Sequence, residues 1–91
     1  MPAVSYNNCM TTGHGSYGPT NIPATQSKLF VAGQAVLING DAANYHGHSP
    51  VGICIATSTK LFVNGIPVVR IGDMLTDGDT VAQGSPKLFS N

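Results

Sequence analysis

Apolar positions come in short runs separated by turn-forming residues, and the clearest case is residues 60–73. There Leu61-Phe62-Val63 and the run 66–71 flank Asn64-Gly65. An Asn-Gly pair between β-prone runs predicts a hairpin with a type I′ turn, because both residues tolerate positive φ. Residues 28–41 repeat the pattern: Leu29-Phe30-Val31, then Ala32-Gly33, then a return run over 34–38, and both copies end on Gly-Asp. A third Lys-Leu-Phe stands at Lys87, Leu88 and Phe89, followed by Ser90-Asn91. Its returning strand is expected at the other end of the chain. Counted back from Asp41 and Asp73, Ala35-Val36 and Pro67-Val68 match Ala3-Val4, with Cys9 where the aspartates stand. The expected fold is all-β, a single domain over residues 1–91 built from three pseudo-symmetric β-hairpin repeats, the third completed by the N-terminal strand. Repeats this short cannot bury a face alone and pack against their copies.

Strands are expected over residues 1–6, 27–38, 51–56, 60–71 and 87–90. The stretches 7–23, 41–50 and 72–79 are rich in turn-forming residues and read as loops. No stretch couples a cap to a 3.6-residue period, so no helix is predicted. Ile22, Cys54 and Val81 each lie six residues before a repeat lysine, which marks a shared apolar position and favours Cys54 as a buried free thiol over a disulfide with Cys9. Asp41 and Asp73 are expected to cap their own turns. Arg70, alone in an apolar run, is expected to bond carbonyls or an aspartate.

Charge narrows the function classes. Charged residues make up 9% of the chain and balance, four basic against four acidic, so the basic footprint of a nucleic-acid or anionic-membrane binder is absent. At 91 residues a single core is near its lower comfortable size, which makes a metal staple a reasonable addition. No run reaches the length of a membrane span, and Met1-Pro2-Ala3 lacks the regions of a signal peptide. The expectation is synthesis in the cytoplasm and export by another route.

All three histidines fall in the stretches between repeats. His14 lies five residues after Cys9 and His46 five after Asp41, while the equivalent third place is Gly78, flanked by Asp77 and Asp79. If the repeats surround a pseudo-three-fold axis, these places converge, and His48 can join from two residues beyond His46. Three imidazoles and one further donor suit tetrahedral zinc; iron is the alternative, since imidazole serves both. The metal-ligand candidates are therefore His14, His46, His48 and Asp77, with Cys9 as the alternative fourth ligand on account of thiolate affinity, and Asp79 after it.

The triplicated pattern, with Gly65-Ile-Pro-Val-Val-Arg-Ile-Gly-Asp73, Thr12-Gly-His-Gly15 and Gly84-Ser-Pro86, resembles the PAAR-repeat proteins over the entire chain. The family's name-giving Pro-Ala-Ala-Arg looks like Pro67-Val-Val-Arg70 here. The resemblance implies a small cone that caps and sharpens a trimeric β-helical spike, in a type VI secretion machine or a contractile phage tail. It implies a metal, usually zinc, that pins the loops near the apex. Members commonly carry a cysteine where this chain has Asp77. The expected role is a non-enzymatic piercing tip, located at the end of a secretion spike or virion tail and delivered outside the cell or into the target cell. It would bind no nucleic acid and touch the target membrane only mechanically. The alternatives are a small zinc metallohydrolase, disfavoured by the lack of room for a cleft, and an adaptor that carries effectors non-covalently on the spike.

Overall fold

A computed structural model describes residues 2–47 and 49–91. Among the described residues the chain is all-β and has no helix. Eight two-residue strands pair antiparallel: β1 (Cys9–Met10) with β2 (Asn21–Ile22), β3 (Phe30–Val31) with β4 (Gln34–Ala35), β5 (Cys54–Ile55) with β8 (Met74–Leu75), and β6 (Phe62–Val63) with β7 (Ile66–Pro67). Both expected tight turns form with positive φ at each central residue, 50° and 82° at Ala32-Gly33 and 51° and 78° at Asn64-Gly65. That sign at both positions is the type I′ requirement.

One pairing occurs three times. Phe30 faces Ala35, Phe62 faces Pro67, and Phe89 faces Ala3, so the segment at the start of the chain pairs with the last Lys-Leu-Phe. The accompanying backbone bonds match: Val36 N to Leu29 O at 3.0 Å, Val68 N to Leu61 O at 3.2 Å and Val4 N to Leu88 O at 2.8 Å.

The strands are much shorter than the runs predicted from the sequence, because each segment changes partner every two residues. Ala3 pairs with Phe89, Val4 with Arg70 and Tyr6 with Val36; Ile38 then pairs with Val68. Residues 3–6, 35–38 and 67–70 therefore close on one another as a ring. Ser5 N donates to Val69 O at 2.9 Å, Val69 N to Leu37 O at 2.9 Å, and Leu37 N to Ser5 O at 3.0 Å. A ring has no open inner edge, so these backbone groups are satisfied without a long ladder.

The stretches 7–23 and 72–79, read as loops from their composition, contain β1, β2 and β8. Their sparse apolar residues pair inward: Cys9 opposite Ile22 and Leu75 opposite Cys54, all four buried. Burial of a few side chains overrode a turn-like composition.

Two core clusters result. One holds Val4, Val36 and Val68 with Val31, Val63 and Ile38, and Leu29, Leu61 and Leu88 pack on it. The other holds Ile22, Cys54 and Val81, the three residues six before each lysine, with Cys9, Leu37, Ala43, Val69 and Leu75. Asp41 and Asp73 cap their turns as expected, accepting from Ile38 N at 2.9 Å and Arg70 N at 2.8 Å. Each also accepts from a threonine hydroxyl at 2.5 Å, Thr25 for Asp41 and Thr57 for Asp73. Arg70 donates to Ser90 O at 3.2 Å and to the Thr57 hydroxyl, and its Nη2 lies 3.8 Å from Asp73 Oδ1.

Both cysteines are free and buried. Burial, reinforced by the charges of Asp41 and Asp73, pushes the Cys54 thiol from 9.0 up to about 12. The unfolded chain therefore loses that proton near pH 9 while the folded chain keeps it to about 12, so ionisation favours unfolding in this window and its contribution to stability is lost as pH rises. Denaturant midpoints measured from pH 8 to 11 should fall more steeply for the native sequence than for Cys54→Val, which places at position 54 the side chain found at Val81.

Candidate metal centre

Three loop segments bring their polar residues together beyond the second core cluster. The first runs between β1 and β2. His14 and Tyr17 exchange two backbone bonds of 2.9 Å across Gly15-Ser16, closing a tight turn that holds the His14 ring in place. Gly13 makes that turn possible: its φ is +83°, and a Cβ there would lie 2.9 Å from Tyr17 O. The Tyr17 ring packs against both imidazoles, with centroids 5.3 Å from His14 and 5.9 Å from His46.

His46 comes from the segment before β5. Its Nδ1 lies 2.6 Å from Gly18 O. A carbonyl only accepts, so Nδ1 carries the hydrogen and Nε2 of the neutral ring presents its lone pair. This is the arrangement by which a histidine ligand is usually oriented, the distal N–H on a carbonyl and the other nitrogen towards the ion.

The third segment follows β8. Leu75 N donates to Asp79 O at 2.9 Å and Gly78 N to Leu75 O at 3.1 Å, with Gly78 at φ +92°. In this turn each aspartate anchors one oxygen. Asp77 Oδ1 accepts from Asp79 N at 3.1 Å. Asp79 Oδ1 accepts from Thr80 N at 2.8 Å and from the Thr12 hydroxyl at 3.4 Å. The second oxygen of each is buried and has no hydrogen-bond partner among the described residues.

His14 Nε2 lies 3.2 Å from His46 Nε2 and 3.2 Å from Asp77 Oδ2, and His46 Nε2 lies 3.7 Å from the same oxygen. The approaches of Asp77 Oδ2 are close without the alignment of a hydrogen bond. Ligands at 2.0–2.1 Å from one tetrahedral ion stand about 3.3 to 3.4 Å apart, and the three separations bracket that value. The point equidistant from the three atoms lies about 2.0 Å from each, the radius of the circle through a triangle with these sides. With Asp79 included, one donor atom from each of the four residues lies within 4.8 Å of the others. The residues present therefore fit a divalent cation: nitrogen and oxygen donors converge, and among the described residues two buried carboxylate oxygens have no hydrogen-bond partner and no Lys or Arg ion pair.

Of the residues predicted from the sequence, His14, His46 and Asp77 meet in this group. His48 lies outside the described residues. Cys9, the alternative fourth ligand, is not in the group. It is fully buried in the apolar cluster, where Sγ accepts from Tyr6 N at 3.3 Å. That is the same turn contact that Asp41 and Asp73 make, which aims the sulfur inward to its own backbone. Burial pushes its thiol up, against the opposing pull of that Tyr6 contact.

Gly52 is a contributor that motif reading missed. A Cβ on it would sit 2.6 to 2.7 Å from all three atoms of the Asp77 carboxylate, so the carboxylate rests directly on bare backbone. The only signal in the sequence is a glycine beside the apolar run that becomes β5.

No protein-family model matches the chain, and no curated protein is similar to it.

Gly52→Ala should displace the Asp77 carboxylate and weaken zinc binding at least tenfold in calorimetric titration, the scale of loss when support of a ligand is removed.

Proposed function

We propose that this chain is a metal-stapled structural tip of the PAAR-repeat kind, which caps a trimeric β-helical spike of a contractile injection machine. The observation that carries the reading is the placement of three phenylalanines. Phe30, Phe62 and Phe89 occupy the same place in the thrice-repeated pairing, and all three are about half exposed, at 51%, 47% and 46%. Large apolar side chains left in water at the same place in a thrice-repeated pairing are suited to contact with a partner. Three such positions suit a partner with three-fold symmetry, one phenylalanine to each spike chain. Phe30 and Phe62 lie in hairpins and Phe89 in the pairing with Ala3, and their neighbours Val31, Val63 and Leu88 lie in or on the first core cluster, whereas the His and Asp segments extend from strands of the second. Docking base and metal apex then use different parts of the molecule, whose Cα extents are 33 × 23 × 21 Å.

A piercing tip transmits force and performs no turnover, so its requirement is rigidity. The closed ring ties down the segments around Ser5, Leu37 and Val69. Zinc, or iron, on His14, His46 and Asp77 would pin the three outer segments that the ring does not reach. Structural zinc contributes about 10 to 16 kcal/mol in small zinc-finger peptides near pH 7.

Two measurements test the reading. Untagged protein should contain one equivalent of zinc or iron by elemental analysis, and chelation should lower its melting temperature by about 10 °C or more, since a domain this size shifts about 4 to 8 °C per kcal/mol. An unchanged melt in a verified metal-free sample removes the stapling role. One chain should bind one spike trimer in native mass spectrometry, and the triple variant Phe30→Ser, Phe62→Ser, Phe89→Ser should abolish that complex while retaining bound metal. Intact binding by the triple variant removes the docking assignment.

A further inference from the structure

We infer that Asp79 is a protein donor of the metal centre beside His14, His46 and Asp77, making it a mixed imidazole and carboxylate site for a divalent first-row ion with no thiolate. The inference rests on the metal-binding part of the proposed function and concerns which residues and which ions.

Burial and charge carry it. Asp79 is fully buried, and the Asp77 side chain is 3% exposed. Two carboxylates removed from water at such close range need compensating positive charge or hydrogen bonds. Among the described residues the hydrogen bonds reach one oxygen of each carboxylate, and the ion-pair contacts are those of the two imidazoles with Asp77. Among the described residues neither carboxylate forms an ion pair with Lys or Arg, because Arg70 is committed to Asp73, Thr57 and Ser90. Each carboxylate anchors one oxygen to the turn and leaves the other without a hydrogen bond. A divalent ion meets both needs, because two carboxylates and two neutral imidazoles around it form an electrically neutral centre.

The anchoring also fixes which oxygen binds. Thr80 N and the Thr12 hydroxyl occupy Asp79 Oδ1, which leaves Oδ2 as the free donor, and one carboxylate oxygen of Asp79 lies within 4.8 Å of the donor atoms of the other three residues. The Thr12 hydroxyl links this carboxylate to the segment that carries His14, so ligation by Asp79 couples two of the three outer segments twice. The sole sulfur candidate by sequence position, Cys9, is committed to Tyr6 N in the core. With no soft donor, the preference is for ions that accept imidazole and carboxylate together, zinc or iron(II), rather than for thiophilic ions.

Cobalt(II) is the probe. The purified full chain, stripped with chelator and titrated with cobalt(II), should develop visible d–d absorption without the intense near-ultraviolet band of thiolate-to-cobalt charge transfer. Asp79→Asn keeps the shape and the Oδ1 contacts, and should weaken cobalt affinity at least tenfold. Cys9→Ala should leave the spectrum unchanged. The metal-free melt of Asp79→Asn separates folding from binding: a variant that melts like the stripped native chain and binds weakly supports the assignment. Should that variant fail to fold, Asp79→Ser is scored by the same affinity and melt. A thiolate band that Cys9→Ala removes would overturn the inference, as would native affinity in Asp79→Asn. So would a loss of binding confined to His48→Ala. Each of those outcomes leaves the metal staple standing, whereas no cobalt uptake by the native chain would overturn both.

Discussion

Ser5 donates to Val69, Val69 to Leu37 and Leu37 back to Ser5, and this circuit of three backbone bonds is the constraint on which the rest depends. It joins residues 32, 32 and 64 positions apart in the chain, so no segment can form its share alone. Closing it draws the start of the chain between the two hairpins and sets Phe89 against Ala3. It also explains the short strands. A segment that must meet two different neighbours within four residues has no length left for a ladder, and its remaining backbone groups are satisfied by turns and by Asp, Thr and Ser side chains.

Where the three like-paired segments differ, the differences compensate one another. The ring positions Leu37 and Val69 are apolar, but Ser5 is polar and fully buried, and its hydroxyl donates to Gln83 O at 2.6 Å. At the turn, Asp41 and Asp73 each use a backbone N–H and a threonine hydroxyl. The corresponding places in the third unit are Cys9 and Gly84. A side chain at 84 would lie 2.8 Å from Ala3, because there the chain passes close to its own N-terminal segment. Glycine is required, the threonine hydroxyl is lost, and a carboxylate at position 9 would keep only one of its two bonds. A thiol needs only the Tyr6 contact and is at home in an apolar cluster.

The candidate centre was partly legible for the same reason the fold was. Counting five residues from each turn anchor selects His14, His46 and the neighbourhood of Gly78, and the ring carries those counts into space. The supports were not legible. Gly52 beneath Asp77, Gly13 behind Tyr17, and Gly18 O on His46 Nδ1 lie in segments whose sequences show only that they turn. The choice between Asp77 and Cys9 depended on direction: both occupy loop-like stretches, but one side chain faces the histidines and the other faces its own backbone.

By itself, the sequence determined the hairpin turns, the pairing of the N-terminal segment with the last Lys-Leu-Phe, the burial of Ile22, Cys54 and Val81, and the grouping of His14, His46 and Asp77. These depend on local turn chemistry and on spacing that repeats, and both survive in one dimension. Only the tertiary structure decided the length of the strands, the placement of β1, β2 and β8 inside apparent loops, the diversion of Cys9 into the core, and the orphaned oxygens of Asp77 and Asp79. Those depend on which way a side chain points once distant segments meet, and on which hydrogen bonds remain after the backbone has taken its own. A spacing cannot carry that information, because each competing partner comes from another part of the chain.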